Sequence, residues 1–169
     1  MTLRAQALSF LHPVNPNERE RSQVFLSRAQ IQEAGPLNRV RVLLADDHPG
    51  FPYLVESLLE PSFEVVGSVV DGKALLEAAT RLNPDVIVTD ISMPIINGIE
   101  AADQLRKAGC DSKIVFLSVH SDPDFVRACL STGALGYVVK PRVGTELVPA
   151  IREALAGHIF VSPGLPYGN

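Results

Sequence analysis

The chain has 169 residues, 46% of them hydrophobic, no Trp and a net charge of −4, which fits one aliphatic-cored domain plus an appendage. Residues 1–40 carry five Arg against three Glu, net +2, while the remainder carries ten basic and sixteen acidic residues, net −6. So acidic a body argues against nucleic acid as a direct ligand, and no apolar run has the roughly 20 residues of a membrane span.

Residues 1–38 differ from the rest of the chain. His12-Pro13 through Arg21 is polar and broken by proline, the pattern of a loop. Ser22 to Ala34 reads as a short helix capped by Ser22 and ended by Gly35-Pro36. This arm is expected to be a flexible extension, with docking or dimerisation as its other use.

From Val40 the pattern becomes regular. Val40 to Ala45 reads as a strand ending on Asp46-Asp47, and Phe51 to Leu59 as a helix with Leu54, Val55, Leu58 and Leu59 as its apolar stripe. Phe63 to Val70 is a second strand, broken by Asp71-Gly72, and Lys73 to Leu82 a second helix. Val86 to Thr89 is an apolar β-branched run, as expected of a strand buried on both faces, and it stops on Asp90. Pro94 and Asn97-Gly98 force a loop, and a third helix covers Ile99 to Ala108. Lys113 to Leu117 is a fourth strand ending on Ser118, followed by a helix over Pro123 to Thr132. Leu135 to Val139 is a fifth strand ending on Lys140, and Glu146 to Ala156 a last amphipathic helix.

Five strands alternating with five helices predict a doubly wound, parallel α/β sheet of flavodoxin-like order 2-1-3-4-5. All strand carboxyl ends then share one edge, with strand three between strands one and four. That edge collects Asp46, Asp47, Asp90, Ser118 and Lys140.

Three neighbouring carboxylates repel one another, and a hard divalent cation resolves the conflict; Mg²⁺ suits an open, half-hydrated oxygen site. Mg²⁺ and Lys140 would neutralise an incoming phosphoryl group, the Ser118 hydroxyl would donate to one of its oxygens, and Asp90 would be the nucleophile. No Cys-His or Ser-His pair competes, and no Gly-rich phosphate loop is present. Four scattered His residues form no i, i+4 pair, which argues against zinc. His48 and His120 are expected to be loop residues near the site, not ligands. Cys110 and Cys129 have neither metal nor redox spacing and, with no signal peptide, are expected to be reduced thiols in the cytoplasm.

The segments Leu43-Leu44-Ala45-Asp46-Asp47-His48-Pro49, Val88-Thr89-Asp90-Ile91-Ser92-Met93-Pro94-Ile95-Ile96-Asn97-Gly98, Val115-Phe116-Leu117-Ser118-Val119-His120 and Gly133-Ala134-Leu135-Gly136-Tyr137-Val138-Val139-Lys140-Pro141 together resemble the receiver domain of two-component response regulators, of the kind that precedes a helix-turn-helix output domain. The resemblance divides the chain into an extension (1–38), a receiver (39–158) and a tail (159–169) similar to the start of a linker. It implies that Asp47 and Asp90 bind Mg²⁺ directly, Asp46 through water and Ser92 through its backbone carbonyl. Ser118 and Tyr137 would form a switch pair, and Lys140 would contact the phosphoryl group, with a cis peptide to Pro141. Ser92 and His120 would tune the lifetime of the phosphorylated state.

Gly50, Pro52 and Val119 depart from the family's pattern: Gly50 would add flexibility at the start of the first helix, where the resemblance implies that partner kinases dock, Pro52 is acceptable in a first helical turn, and Val119 would narrow access to the phosphoryl group. The reading is a receiver without its own output domain, phosphorylated on Asp90 by a histidine kinase or phosphotransfer protein. It would act through an effector protein or a homodimer at the face of the fourth helix, fifth strand and fifth helix, and bind neither nucleic acid nor membrane. Its alternative is the front part of a DNA-binding transcriptional regulator. An aspartyl-phosphate phosphatase of the haloacid dehalogenase type is disfavoured, because the position two residues beyond Asp90, where such enzymes keep a second Asp, is Ser92.

Overall fold

The computed structural model describes residues 39–165; the arm and the helix expected over 22–34 lie outside the described residues. The elements follow in the order β1 (Arg41–Ala45), α1 (Phe51–Leu59), β2 (Glu64–Val69), α2 (Gly72–Leu82), β3 (Val86–Asp90), α3 (Gly98–Lys107), β4 (Lys113–Ser118), α4 (Pro123–Ser131), β5 (Gly136–Val139), α5 (Val143–Leu155) and β6 (Phe160–Val161). The sheet is parallel, in order β2-β1-β3-β4-β5-β6. The flavodoxin-like order holds, with one strand more than the sequence suggests.

Alternation along the strands divides the core in two. Val42, Leu44, Val86, Val88, Val115 and Leu117 point to one face, where Val55 and Leu59 of α1 meet Leu147, Ile151 and Ala154 of α5. Leu43, Ile87, Ile114, Phe116 and Tyr137 point to the other, against Leu75, Ala101, Leu105, Val126 and Cys129 of α2, α3 and α4. Both faces of β3 are covered and all five of its residues are buried, as its unbroken apolar run requires. Each fully buried Val, Leu or Phe contributes about 1.5–3 kcal/mol. This central strand is therefore fixed firmly, and Asp90 with it.

Local chemistry sets the helix starts. Asp71 caps α2 by accepting from the Ala74 N–H. Asn97 and Glu100 form a reciprocal capping box on α3. Gly50 precedes α1 with φ +83°, so the unusual glycine occupies a left-handed turn that a side chain would strain. Pro52 lies in the first turn, where its missing N–H has no partner to lose. Helix α5 starts at Val143, a turn earlier than the sequence suggests, which leaves Pro149 inside it. The buried Leu147, Ala150, Ile151 and Ala154 hold that helix by packing where proline removes a hydrogen bond.

Two expectations are corrected. The segment after residue 158 is not a bare linker: Phe160 and Val161 pair with Gly136 and Tyr137, and the Ser162 N–H donates to the Tyr137 carbonyl at 2.9 Å. The Ser162 hydroxyl accepts the Val139 N–H at 3.0 Å and donates to Glu146, so this segment satisfies a backbone donor that β5 would otherwise expose. The Lys140–Pro141 peptide is trans, the lower-energy isomer for a bond to proline, and Lys140–Arg142 forms a 3₁₀ turn. Among the described residues no helix is long and apolar enough to cross a membrane.

Candidate functional site

The carboxyl edge of the sheet brings Asp46, Asp47 and Asp90 together, and adds His48. One ligand atom from each of these four lies within 4.8 Å of the others. Asp90 ends β3 beside Leu117 of β4, and Asp46 and Asp47 follow β1, the other neighbour of β3. Parallel register thus converts separation in sequence into contact. Gly98 allows the α3 N-terminus to close on this point: a Cβ there would stand 2.0 Å from the Asp90 carbonyl oxygen. Its N–H donates to the Ile91 carbonyl at 2.9 Å, which fixes the loop.

Asp90 is buried, and both its oxygens are held. Oδ1 accepts the Ile91 N–H at 2.7 Å and Oδ2 accepts from Lys140 Nζ at 2.9 Å. Lys140 also lies 2.7 Å from Asp46 Oδ2 and 4.6 Å from the centre of the Phe51 ring. Its side chain is 9% exposed, and the carboxylates and aromatic face balance the ammonium's lost hydration.

Asp46 shows what the pocket lacks. Its Oδ1 accepts the His48 N–H at 2.9 Å. Its Oδ2 is buried without a hydrogen-bond donor, because the Lys140 ammonium is close but outside hydrogen-bonding geometry, so that contact is coulombic only. A buried, incompletely satisfied carboxylate oxygen among two other carboxylates is the donor set that a hard dication takes. The residues present fit a divalent cation.

Ser118, Tyr137 and His120 form a second cluster. Ser118 is fully buried, and its Oγ accepts the His120 N–H at 3.0 Å. The Tyr137 hydroxyl donates to the His120 carbonyl at 2.8 Å. The two residues are therefore tied through the backbone of a third, a link that no sequence pattern announces. The His120 ring stacks on Phe125 with centroids 4.2 Å apart. Tyr137 is fully buried, and burial pushes its phenol above the usual range, offset in part by the Ser118 hydroxyl. Ser92 is exposed in the β3–α3 loop, and Val119 lies beside a groove lined by Val139, Pro141, Pro163 and Leu165.

His48, expected as a loop residue near the site, lies in the exposed loop after β1. Its Nδ1 stands 3.1 Å from Asp46 Oδ1, 3.2 Å from Asp47 Oδ1 and 3.4 Å from Asp90 Oδ2. Its adjacency to Asp46-Asp47 is the only signal the sequence offers, and a turn can aim such a side chain either way.

Comparison with known proteins agrees with this geometry. The family model of the response regulator receiver domain matches residues 42–152. The chain is 38% identical over 128 residues to the transcriptional regulatory protein DegU of Brevibacillus brevis, covering 75% of this chain and 54% of that protein. It is 36% identical over 126 residues to the nitrate/nitrite response regulator protein NarL of Escherichia coli K12, covering 73% and 58%. It thus spans little more than half the length of these relatives. Among solved structures, the receiver domain of the putative response regulator NarL from Mycobacterium tuberculosis superposes with a TM-score of 0.68 at 34% identity, covering 71% of this chain and 98% of that one. A two-component response regulator of the LuxR family from Aurantimonas sp. SI85-9A1 gives 0.72 at 32% identity, covering 76% and 93%. The chain belongs to the receiver-domain family of two-component response regulators.

Proposed function

We propose that this receiver is a Mg²⁺-dependent phosphorylation switch with Asp90 as its phosphoacceptor. The carrying observation is the convergence on Asp90: a buried carboxylate at the end of the central strand, paired with Lys140 and flanked by Asp46 and Asp47. Asp46, Asp47, Asp90 and the Ser92 carbonyl are the groups that would hold Mg²⁺. When bound, Mg²⁺ supplies charge neutralisation for the phosphoryl oxygens.

The protein's own groups do the rest. An Asp90 oxygen forms its bond to phosphorus as the phosphorus–nitrogen bond of a phosphohistidine breaks. Lys140 follows the new negative charge, and the Ser118 hydroxyl turns from the His120 N–H to donate to a phosphoryl oxygen. That exchange frees the N–H of His120, the residue whose carbonyl holds the Tyr137 hydroxyl, which motivates Ser118 and Tyr137 as the switch pair. Ser92, two residues beyond Asp90, and His120, two beyond Ser118, are assigned the tuning of the acyl phosphate's lifetime by the family resemblance.

The donor is a histidine kinase or phosphotransfer protein, and the exchange belongs in the cytoplasm, where Cys110 and Cys129 stay free thiols. Its catalysis is confined to its own phosphorylation and dephosphorylation. An effector or a second copy reads the state at the α4–β5–α5 face, whose strand edge belongs to β6 instead of β5. A phosphate mimic that leaves the amide NMR shifts of that face unchanged would overturn this output route.

The deciding experiment is intact mass after incubation with acetyl phosphate. The wild type should gain one phosphoryl mass with Mg²⁺ and none in chelator, and Asp90→Asn none in either. A gain retained in Asp90→Asn sinks the assignment. A second reading, favoured by the transcriptional relatives, is that this switch controls a DNA-binding domain of a longer protein. The gene sequence beyond Asn169 separates the two.

A further inference from the structure

We propose that His48 is a fourth ligand of the cation site, and that its imidazole turns an oxygen site for Mg²⁺ into a nitrogen–oxygen site that favours first-row transition dications. The inference rests on the cation-site reading of the pocket and goes beyond it in ligand set and in metal class.

Ligands held about 2.1 Å from one cation stand about 3.0 Å apart when adjacent in an octahedron and about 3.4 Å apart in a tetrahedron. The Nδ1-to-oxygen distances of 3.1, 3.2 and 3.4 Å fall on these edges. The ring therefore stands where a ligand would, one coordination edge from each of three carboxylates.

The orientation of the ring agrees. Nδ1 also lies 3.3 Å from Lys140 Nζ, a contact in which the deprotonated nitrogen accepts, so the ammonium favours the ligating form of the ring. The same nitrogen is within hydrogen-bonding distance of Asp46 Oδ1, to which it donates when it carries a proton; a dication among the three carboxylates takes its lone pair instead. The His48 N–H is anchored on Asp46 Oδ1 at 2.9 Å, so the residue's backbone is fixed while its ring, 58% exposed, stays free for small adjustments that leave the fold unchanged.

Three carboxylates and one ammonium leave a formal charge of −2, which one dication cancels. Asp46, its side chain 5% exposed, has at Oδ2 no hydrogen bond but the coulombic contact of the Lys140 ammonium 2.7 Å away. That oxygen is an independent sign that a ligand belongs in the pocket. Imidazole suits transition metals, and affinity at such sites rises from Mn²⁺ through Co²⁺ to Ni²⁺, whereas Mg²⁺ gains little from nitrogen.

The test titrates Co²⁺ into the full, tag-free chain and follows the visible d–d absorption, with Mg²⁺ then added as competitor. Wild type, His48→Ala and Asp47→Asn are compared. If His48 ligates, its replacement changes the Co²⁺ spectrum and lowers the Mg²⁺ concentration that displaces half the Co²⁺ by on the order of tenfold. Identical spectra and identical displacement in wild type and His48→Ala overturn the proposal and leave the oxygen site standing. No Co²⁺ binding to the wild type, or binding indifferent to Asp47→Asn, overturns both.

Discussion

At the amino end of the sheet, Arg39 and Arg41 direct their guanidinium groups to backbone carbonyls. Arg41 donates to the Leu82 carbonyl at 2.6 Å and the Asn83 carbonyl at 3.1 Å, and its N–H meets the Asp85 carboxylate at 2.7 Å. Arg39 does the same for Glu60 and Phe63. At the carboxyl end, Asp46, Asp47 and Asp90 face one another, and Asp46 keeps a buried oxygen without a donor. Both ends hold charge against the same core. One end satisfies it within the chain and gains stability; the other gathers three carboxylates around one ammonium, the end at which the proposed cation and phosphoryl chemistry would take place.

The contrast can be broken in several places. The largest effect is expected at Gly98, where a methyl group would meet the Asp90 carbonyl at 2.0 Å. Gly98→Ala should cost about 3 kcal/mol in urea unfolding and slow phosphorylation as Asp90 shifts. Unchanged stability would mean that the α3 N-terminus is not pressed against β3. Next, Mg²⁺ at a hundred times its dissociation constant should stabilise the wild type by about 2.7 kcal/mol. Asp47→Asn should lose that gain in a thermal melt while staying folded in chelator.

The amino end should answer in reverse. Arg41→Ala should cost about 1.5 kcal/mol, because the Leu82 and Asn83 carbonyls lose their donor, with the phosphoryl mass gain unaltered. The last effect is confined to alkaline pH and absent near neutrality. Burial pushes the Cys129 thiol up to about 12, so the folded state holds its proton where the unfolded chain, near 9, has lost it. Stability from this group is complete below pH 9 and falls as pH rises from 9 toward 12. Urea midpoints of Cys129→Ala should fall less steeply than wild type over that window.

The amino acids announce the carboxyl end more clearly than anything else in the chain. A parallel strand buried on both faces needs an unbroken apolar run, so the first polar residue after each run marks the edge where chemistry gathers. Asp90 after Val86 to Thr89, Ser118 after Phe116-Leu117 and Lys140 after Val138-Val139 are legible for that reason. Strand order then places Asp46 and Asp47 beside them, and a flavodoxin-like order follows from the alternation of elements. Phe160-Val161 is less legible because a two-residue strand carries no period; it exists by virtue of the open β5 edge that it covers.

By itself the sequence determined the alternating αβ architecture, the strand ends and the acidic set at their edge, since burial dictates apolar periodicity one element at a time. Tertiary structure alone decided the aim of His48 among three carboxylates, the Asp46 oxygen that no hydrogen bond reaches, the residue His120 that joins Ser118 to Tyr137, and the seating of Ser162 on β5. These are meetings between elements far apart in the chain or between a turn and a pocket, and their geometry is set by packing that no local pattern encodes.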